Sequence, residues 1–402
     1  MAYLERVLAN ISEQRLVELT RDLVAIPSEN PPGNEAEVAR YIAGTLEGLG
    51  LDPIIAEKVA GRPNVIAELR GEKGNPVLLL TGHTDVVPAG TGWSMDPYQP
   101  VIRDGKLFGR GACDMKGGLA CILHVLELLL EHDVPLSGSL LCAFTVGEES
   151  GGIEGAAYVM QEGLISADMG ILLEPSDFQL VLAEEGVLWV ELITKGTTTH
   201  TLNAATASNA AEHMTKLLAA LLDERDAILE PRRPGHETPI LSVNAVRGGD
   251  KPNVIPGECR AMIDIRIPPG CKLALEDVQT RLSCFLDAQH REHPKLEAEV
   301  HYDVVGRPFQ QPTDTEIVRT LSKCVAEVLG RAPEIVGPVP SMDEDSDAYH
   351  YWTKGGIPTV YFGPGKIEQA HGANEYIEIS QLMEAVEILV NTVFKTLGRE
   401  SE

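Results

Sequence analysis

Short apolar runs alternate along this chain with stretches whose apolar residues recur at helical spacing. Leu4, Val7, Leu8 and Ile11, then Leu16 and Leu19, follow the helical period. A loop spelled Ser28-Glu29-Asn30-Pro31-Pro32-Gly33-Asn34 precedes a helix predicted over 35–49, which stops at Gly50. Strands are predicted at Asn64–Leu69, Val77–Leu80, Leu140–Val146 and Ile171–Leu173, with a helix after Gly118. That alternation predicts an α/β layer fold around a largely parallel sheet.

From about Gly186 the pattern changes. A strand (187–193), a helix (208–228), two strands (240–246 and 259–267), a helix (275–288) and a last strand (296–305) follow one another. The order β-α-β-β-α-β is the split βαβ, ferredoxin-like arrangement. The α/β pattern then resumes, with an apolar run Thr359-Val360-Tyr361-Phe362. We therefore expect a discontinuous α/β domain over 1–185 and 306–402, interrupted by an inserted α+β domain over 186–305.

The totals narrow the function classes. With 402 residues, 44% of them hydrophobic, the chain has enough material for a large core in two domains. Sixty acidic against 33 basic residues give a net charge of −27, which argues against nucleic acid or an anionic membrane as partner. The apolar stretch Ile122–Leu130 is interrupted by His124 and Glu127 and falls short of a membrane span. Met1-Ala2-Tyr3-Leu4-Glu5-Arg6 lacks the layout of a signal peptide, and seven scattered cysteines with no CxxC pair point to reduced thiols. The expectation is a soluble cytoplasmic protein.

Most of the candidate chemistry stands just past the apolar runs. His83 and Asp85 follow Val77–Leu80; Glu148 and Glu149 follow Leu140–Val146; Glu174 closes Ile171–Leu173; His371 follows Thr359–Phe362. Asp114 lies in the Gly-rich segment Gly109-Arg110-Gly111-Ala112-Cys113-Asp114-Met115-Lys116-Gly117-Gly118. In an open α/β sheet, ligands bind outside the carboxyl ends of the strands. Taken singly, each residue has an ordinary explanation, as a helix cap or a satisfied polar group. Five such sites together point to a metal centre. Imidazole nitrogen with carboxylate oxygen suits Zn²⁺, Co²⁺ or Mn²⁺, and two His with three carboxylates can hold two ions if one carboxylate bridges them. Asp85 can accept the second N–H of the His83 ring. One of Glu148 and Glu149 is then spare to act as general base.

Gly82-His83-Thr84-Asp85-Val86-Val87-Pro88, the Gly109 to Gly118 block and Thr145-Val146-Gly147-Glu148-Glu149-Ser150-Gly151-Gly152 resemble a known metallohydrolase family. It includes acetylornithine deacetylase, succinyl-diaminopimelate desuccinylase, aminoacylase and carboxypeptidase G. Asn253-Val254-Ile255-Pro256, Asp264-Ile265-Arg266 and Phe362-Gly363-Pro364-Gly365 extend the likeness over nearly the whole chain. The resemblance implies a zinc-peptidase-like α/β domain carrying a smaller lid that dimerises. It implies that Asp114 bridges two metals, that His83 and Glu174 complete one site and that Glu149 and His371 complete the other. Glu148 is then the general base and Asp85 orients His83. Zn²⁺ is the first expectation for the metal, with Co²⁺ or Mn²⁺ as alternatives.

The implied activity is removal of an acetyl, succinyl or similar group from an N-acyl amino acid. A metallo-carboxypeptidase or dipeptidase acting on small peptides is the alternative. In the lid, His200 aligns with a histidine that in relatives reaches the substrate carbonyl, often from the neighbouring subunit. Its loop, with Thr201, Leu202, Ala204 and Ala207, departs from the family pattern. Asn253 and Arg266 keep the spacing of substrate-binding residues, and Arg307 is a further candidate. Where many relatives have Gly-Gly-Thr/Ser-Asp-Ala, this chain has Asp343-Glu344-Asp345-Ser346-Asp347-Ala348, of which the last three fit. The acids that replace the glycines either face the pocket, where they would favour a cationic side chain, or lie on the surface, which is the first expectation.

Overall fold

A computed structural model describes residues 2–229, 238–340 and 345–398. The described residues form two compact units, one from 2–182, 311–337 and 345–398, the other from 183–229, 238–310 and 338–340. The principal strands are β1 (Ile54–Glu57), β2 (Pro63–Leu69), β3 (Gly74–His83), β4 (Gly138–Thr145), β5 (Met169–Leu172), β6 (Ala183–Lys195), β7 (Ile240–Gly248), β8 (Glu258–Ile267), β9 (Glu297–Gly306) and β10 (Thr359–Tyr361). The principal helices are α1 (Glu13–Val24), α2 (Ala36–Gly48), α3 (Gly117–Glu131), α4 (Ala210–Asp223), α5 (Leu275–Glu292), α6 (Glu316–Leu329), α7 (Asp347–Gly355) and α8 (Ile379–Leu397).

In the first unit the four apolar runs become four adjacent parallel strands, in the order β4-β3-β5-β10. Their carboxyl ends lie level, with His83 opposite Thr145, Thr81 opposite Leu172, and Leu172 opposite Tyr361. β2 and β1 add to one side antiparallel, and Leu180–Val181 pairs antiparallel with β10 on the other, so the sheet is mixed around a parallel centre. Every residue of β4 is buried, as expected of a strand covered on both faces. Residues 117–129 of α3 are buried as well, so this apolar stretch is a core helix packed against α1 and α8. The two polar residues that interrupt it are satisfied: Glu127 accepts from Arg15 at 2.6 Å, and His124 accepts the Ser12 N–H through Nε2 at 3.1 Å. No helix among the described residues is long and apolar enough to cross a membrane.

The second unit runs β6-α4-β7-β8-α5-β9, with sheet order β7-β8-β6-β9, antiparallel throughout. β8 shows why one face is covered. Cys259, Ala261, Ile263, Ile265 and Ile267 are buried in a core shared with α4 and α5, while Glu258, Arg260 and Met262 alternate outward. The helix expected over 208–228 is two helices. α4 starts after Asn209, whose side chain caps Ala211 N–H, and a short helix at Arg225–Leu229 follows it. α5 runs on to Glu292, beyond the expected 288, because Gln289 is still buried; the chain leaves the helix just before Pro294.

Candidate metal centre

The four parallel strands deliver their following residues to one end of the sheet. His83 is the last residue of β3 and is 1% exposed. After β4 the chain turns through Gly147, whose φ of 75° favours glycine, into a 3₁₀ turn holding Glu148 and Glu149. Glu174 stands two residues beyond β5, and His371 ten residues beyond β10, with a left-handed φ of 60°. Asp114 comes from a kinked segment, 112–116, between Gly111 and α3.

The side chains converge. His83 Nε2 lies 3.1 Å from Asp114 Oδ1, 3.5 Å from Glu174 Oε1 and 3.9 Å from Glu148 Oε2. His371 Nε2 lies 3.0 Å from Glu149 Oε2 and 3.3 Å from Asp114 Oδ2. Asp114 thus turns one oxygen toward each imidazole. Ligand atoms of His83, Glu148 and Glu174 lie within 4.8 Å of one another, as do those of His83, Asp114 and Glu149. Glu149 Oε1 and Glu174 Oε1 are buried and accept no hydrogen bond. A hard N/O donor set with orphaned buried carboxylate oxygens is what divalent ions of the zinc type require, so the residues present fit two such ions.

The electrostatics agree with that fit. Burial holds the carboxyls of Glu148 and Glu174 well above the usual range, reinforced by neighbouring acids, and Glu149 is pushed up to about 7. His371 rises to about 11 through its hydrogen bonds to Asp114 and Glu149. Burial opposes protonation of His83, but Glu174, Asp114, Asp85 and Glu148 outweigh it and hold its pKa well above normal. Burial likewise opposes ionisation of Asp114, yet hydrogen bonds from His371 and His83 hold it low. The cluster carries an excess of acidic groups, which favours a cation among them.

Asp85 offers His83 its backbone carbonyl as well as its carboxylate. The His83 ring nitrogen Nδ1 lies 2.9 Å from the Asp85 backbone carbonyl and 3.5 Å from its carboxylate, so the carbonyl is the closer acceptor. The carboxylate also accepts Asn30 Nδ2 at 2.8 Å and the backbone N–H groups of Glu148 and Glu149 at 3.3 and 3.2 Å. Two residues along an extended chain, the carbonyl reaches back to the ring while the side chain points on to the next loop. Asp85 therefore organises the Glu148–Glu149 turn as well as the ring.

Several buried groups at this end escaped sequence reasoning. Glu375 accepts from Arg110 Nη1 at 2.6 Å and from the N–H groups of Gly111, Cys113 and Asp114. Asp347 accepts Thr145 Oγ1 at 2.6 Å, its other oxygen has no partner, and burial raises it to about 7. Arg110 and Asp347 stand in runs that carry the family likeness but carry no expected role, and Glu375 shows only as an isolated acid in a loop. Asp343 and Glu344 lie outside the described residues, whereas Asp345, expected on the surface, is buried at the start of the segment leading into α7.

In the second unit, His200 and Val254 pair across two short strands, which sets His200 beside Asn253; both are exposed. The His200 Nδ1 accepts Leu202 N–H at 3.2 Å. Arg266 is elsewhere. β8 places it eight residues beyond Glu258, about 26 Å along the strand, with its Nε on Asp264 at 2.9 Å. Arg307 is exposed just past β9, with Nε 3.9 Å from Glu276.

A family model described as peptidase family M20/M25/M40 matches residues 79–395. The chain is 32% identical over 355 residues to the acetylornithine deacetylase of Myxococcus xanthus, covering 87% of each chain. It is 28% identical over 425 residues to N-formyl-4-amino-5-aminomethyl-2-methylpyrimidine deformylase of Halalkalibacterium halodurans, covering 98% of each. Among solved structures, aminopeptidase PepT of Bacillus cereus shares the fold with a TM-score of 0.75 at 24% identity, covering 96% of this chain and 99% of that one. Human carnosine dipeptidase 1 does so at 0.73 and 19%, covering 98% of each.

Proposed function

From the chain's membership of peptidase family M20/M25/M40, whose model spans residues 79–395, we propose that it removes a small acyl group from an N-acylated amine, an N-acyl amino acid first among them. The chain is a hydrolase of amide bonds; the acyl group and the amine are the proposal. The observation that carries it is the arrangement of Asp114 between two imidazoles, one oxygen facing each ring. The two curated relatives bear the names of a deacetylase and a deformylase, and both names describe loss of a short acyl group from nitrogen.

In this reading His83, Asp114 and Glu174 would hold one divalent ion, and Asp114, Glu149 and His371 would hold the other. Zn²⁺ is the ion proposed, with Co²⁺ or Mn²⁺ able to replace it. When bound, the two ions lower the pKa of a water toward neutrality and polarise the amide carbonyl. Glu148 Oε takes a proton from the attacking water and returns it to the departing amine nitrogen. Its turn is held by the Asp85 carboxylate, so the base keeps its place through the cycle. His200 donates to the carbonyl oxygen as negative charge develops there. Arg266, and Arg307 after it, are the residues proposed to pair with a substrate carboxylate.

We read the second unit as a lid that also dimerises. A homodimer is part of this reading, as the family resemblance implies. Seven unpaired cysteines are in keeping with a cytoplasmic location.

The test is amine release by apo protein reconstituted with Zn²⁺ or Co²⁺. Substrates are acetylornithine, acetylmethionine, succinyl-diaminopimelate, the formylated aminomethylpyrimidine and unmodified dipeptides. Metal-dependent release from formyl or acetyl amines alone is expected. Turnover confined to the dipeptides replaces the deacylase reading with the peptidase one.

A further inference from the structure

Arg110 and Glu375 are both buried, at 1% exposure each, and they join two segments 265 residues apart. Three donors of the Asp114 segment converge on Glu375: the N–H groups of Gly111 at 3.0 Å, Cys113 at 2.8 Å and Asp114 itself at 3.0 Å. Arg110 Nη1 adds a fourth at 2.6 Å. The other arm of the same guanidinium, Nη2, donates to the His371 carbonyl at 3.2 Å and to the Ala89 carbonyl at 3.4 Å. One ion pair therefore grips the segment that carries Asp114 and the segment that carries His371.

The surroundings make that grip rigid. Tyr376–Glu378 pairs antiparallel with Lys106–Phe108, and Gly109 N–H donates to the Glu375 carbonyl at 3.0 Å, which places Glu375 beside the Asp114 segment. The Trp93 ring lies under the guanidinium, 5.3 Å from its carbon. His371 holds a left-handed backbone conformation, which a residue other than glycine keeps only where its surroundings over-determine it. The Arg110 contact to its carbonyl is one such restraint. A buried ion pair is weak evidence for stability, since desolvation offsets its attraction. Its value here is geometric. The planar fork of Arg reaches two acceptors at fixed separation, as a Lys ammonium on its flexible stem does not.

We propose that Arg110 and Glu375 act together as a positioning clamp that sets the spacing of Asp114 and His371, and so the affinity of the metal position those two share with Glu149. The proposal rests on the two-metal reading above. Neither residue is a ligand or a catalytic residue; they act through the backbone of the ligands.

The test uses Glu375→Gln and Arg110→Lys in the full chain, with titration of metal-free protein by Co²⁺. Visible absorption and elemental analysis report the two sites, and circular dichroism reports the fold. Wild type is expected to take up two ions. Both variants should bind the second ion about 10- to 100-fold more weakly than wild type, and lose clearly less at the first, where His83 and Glu174 hold alongside the shared Asp114. Wild type that takes up fewer than two ions overturns the two-metal reading, and the clamp with it. Wild type with two sites and variants that match it overturn the clamp alone. Equal weakening at both sites also overturns it, because that marks a general structural role. Should Glu375→Gln not fold, Arg110→Lys decides the matter, since it keeps the charge facing Glu375 and removes the second arm to His371.

Discussion

Replacing Glu148 with Gln separates the base from the ligands around it. The substitution preserves shape, so no cavity opens, and the backbone N–H of residue 148 still donates to Asp85 at 3.3 Å. What disappears is a group able to take a proton. General-base catalysis contributes roughly 10²- to 10⁴-fold, and at about 1.36 kcal/mol per decade this amounts to about 3–5 kcal/mol of barrier. Stability should not fall with it. The half-buried Glu148 side chain is kept toward its neutral form by desolvation and by Glu174, Glu149 and Asp347, against the attraction of His83, so a neutral amide is tolerated in its place in the metal-free protein. The assay combines kcat on the best substrate, metal content and thermal unfolding of the apo form. The expected outcome is a loss of kcat of at least 100-fold, two ions retained, and an apo melting temperature equal to or above wild type. A kcat within tenfold of wild type refutes the base assignment. Loss of one equivalent of metal refutes it differently, by making Glu148 a ligand, which its 3.9 Å approach to His83 permits.

Metal removal should expose a pH dependence whose sign follows from the raised pKa values. Glu149 and Asp347 sit at about 7 in the folded apo chain, against ordinary values of 4.5 and 3.8. Through that interval the folded chain holds protons the unfolded chain has released, so stability falls as pH rises. His371, raised to about 11, contributes fully below its ordinary 6.5 and loses that contribution as pH rises further. Metal binding needs deprotonated ligands and tightens with pH. The gap in melting temperature between loaded and chelated protein should therefore widen from about pH 5 to about pH 8; calorimetry showing a constant or narrowing gap refutes this. A pair of glycine substitutions tests the packing of α3. A Cβ on Gly118 would meet the Leu173 carbonyl oxygen at 2.4 Å, next to Glu174, whereas one on Gly44 in α2 meets nothing within 4 Å. Gly118→Ala should cost about 1–3 kcal/mol and weaken metal uptake, while Gly44→Ala should stabilise by up to about 1 kcal/mol in denaturant titration.

Local chemistry made much of this protein legible in its sequence. The apolar runs at 77–80, 140–146, 171–173 and 359–362 announce buried parallel strands because a strand covered on both faces has no polar side to show. The second unit's β8 announces itself by alternation, because only one of its faces is covered. The acids and imidazoles just past the runs are visible for the same local reason. Tertiary structure decided the rest. Sequence order says nothing of β4-β3-β5-β10 adjacency, and that adjacency turns four separate chain segments into one end of a sheet. The orphaned oxygens of Glu149 and Glu174, and the hold of Arg110 and Glu375 on two distant loops, have no local pattern to betray them. Each depends on partners brought together only when the core closes, and the preferences of a short segment carry no information about a neighbour more than 200 residues away.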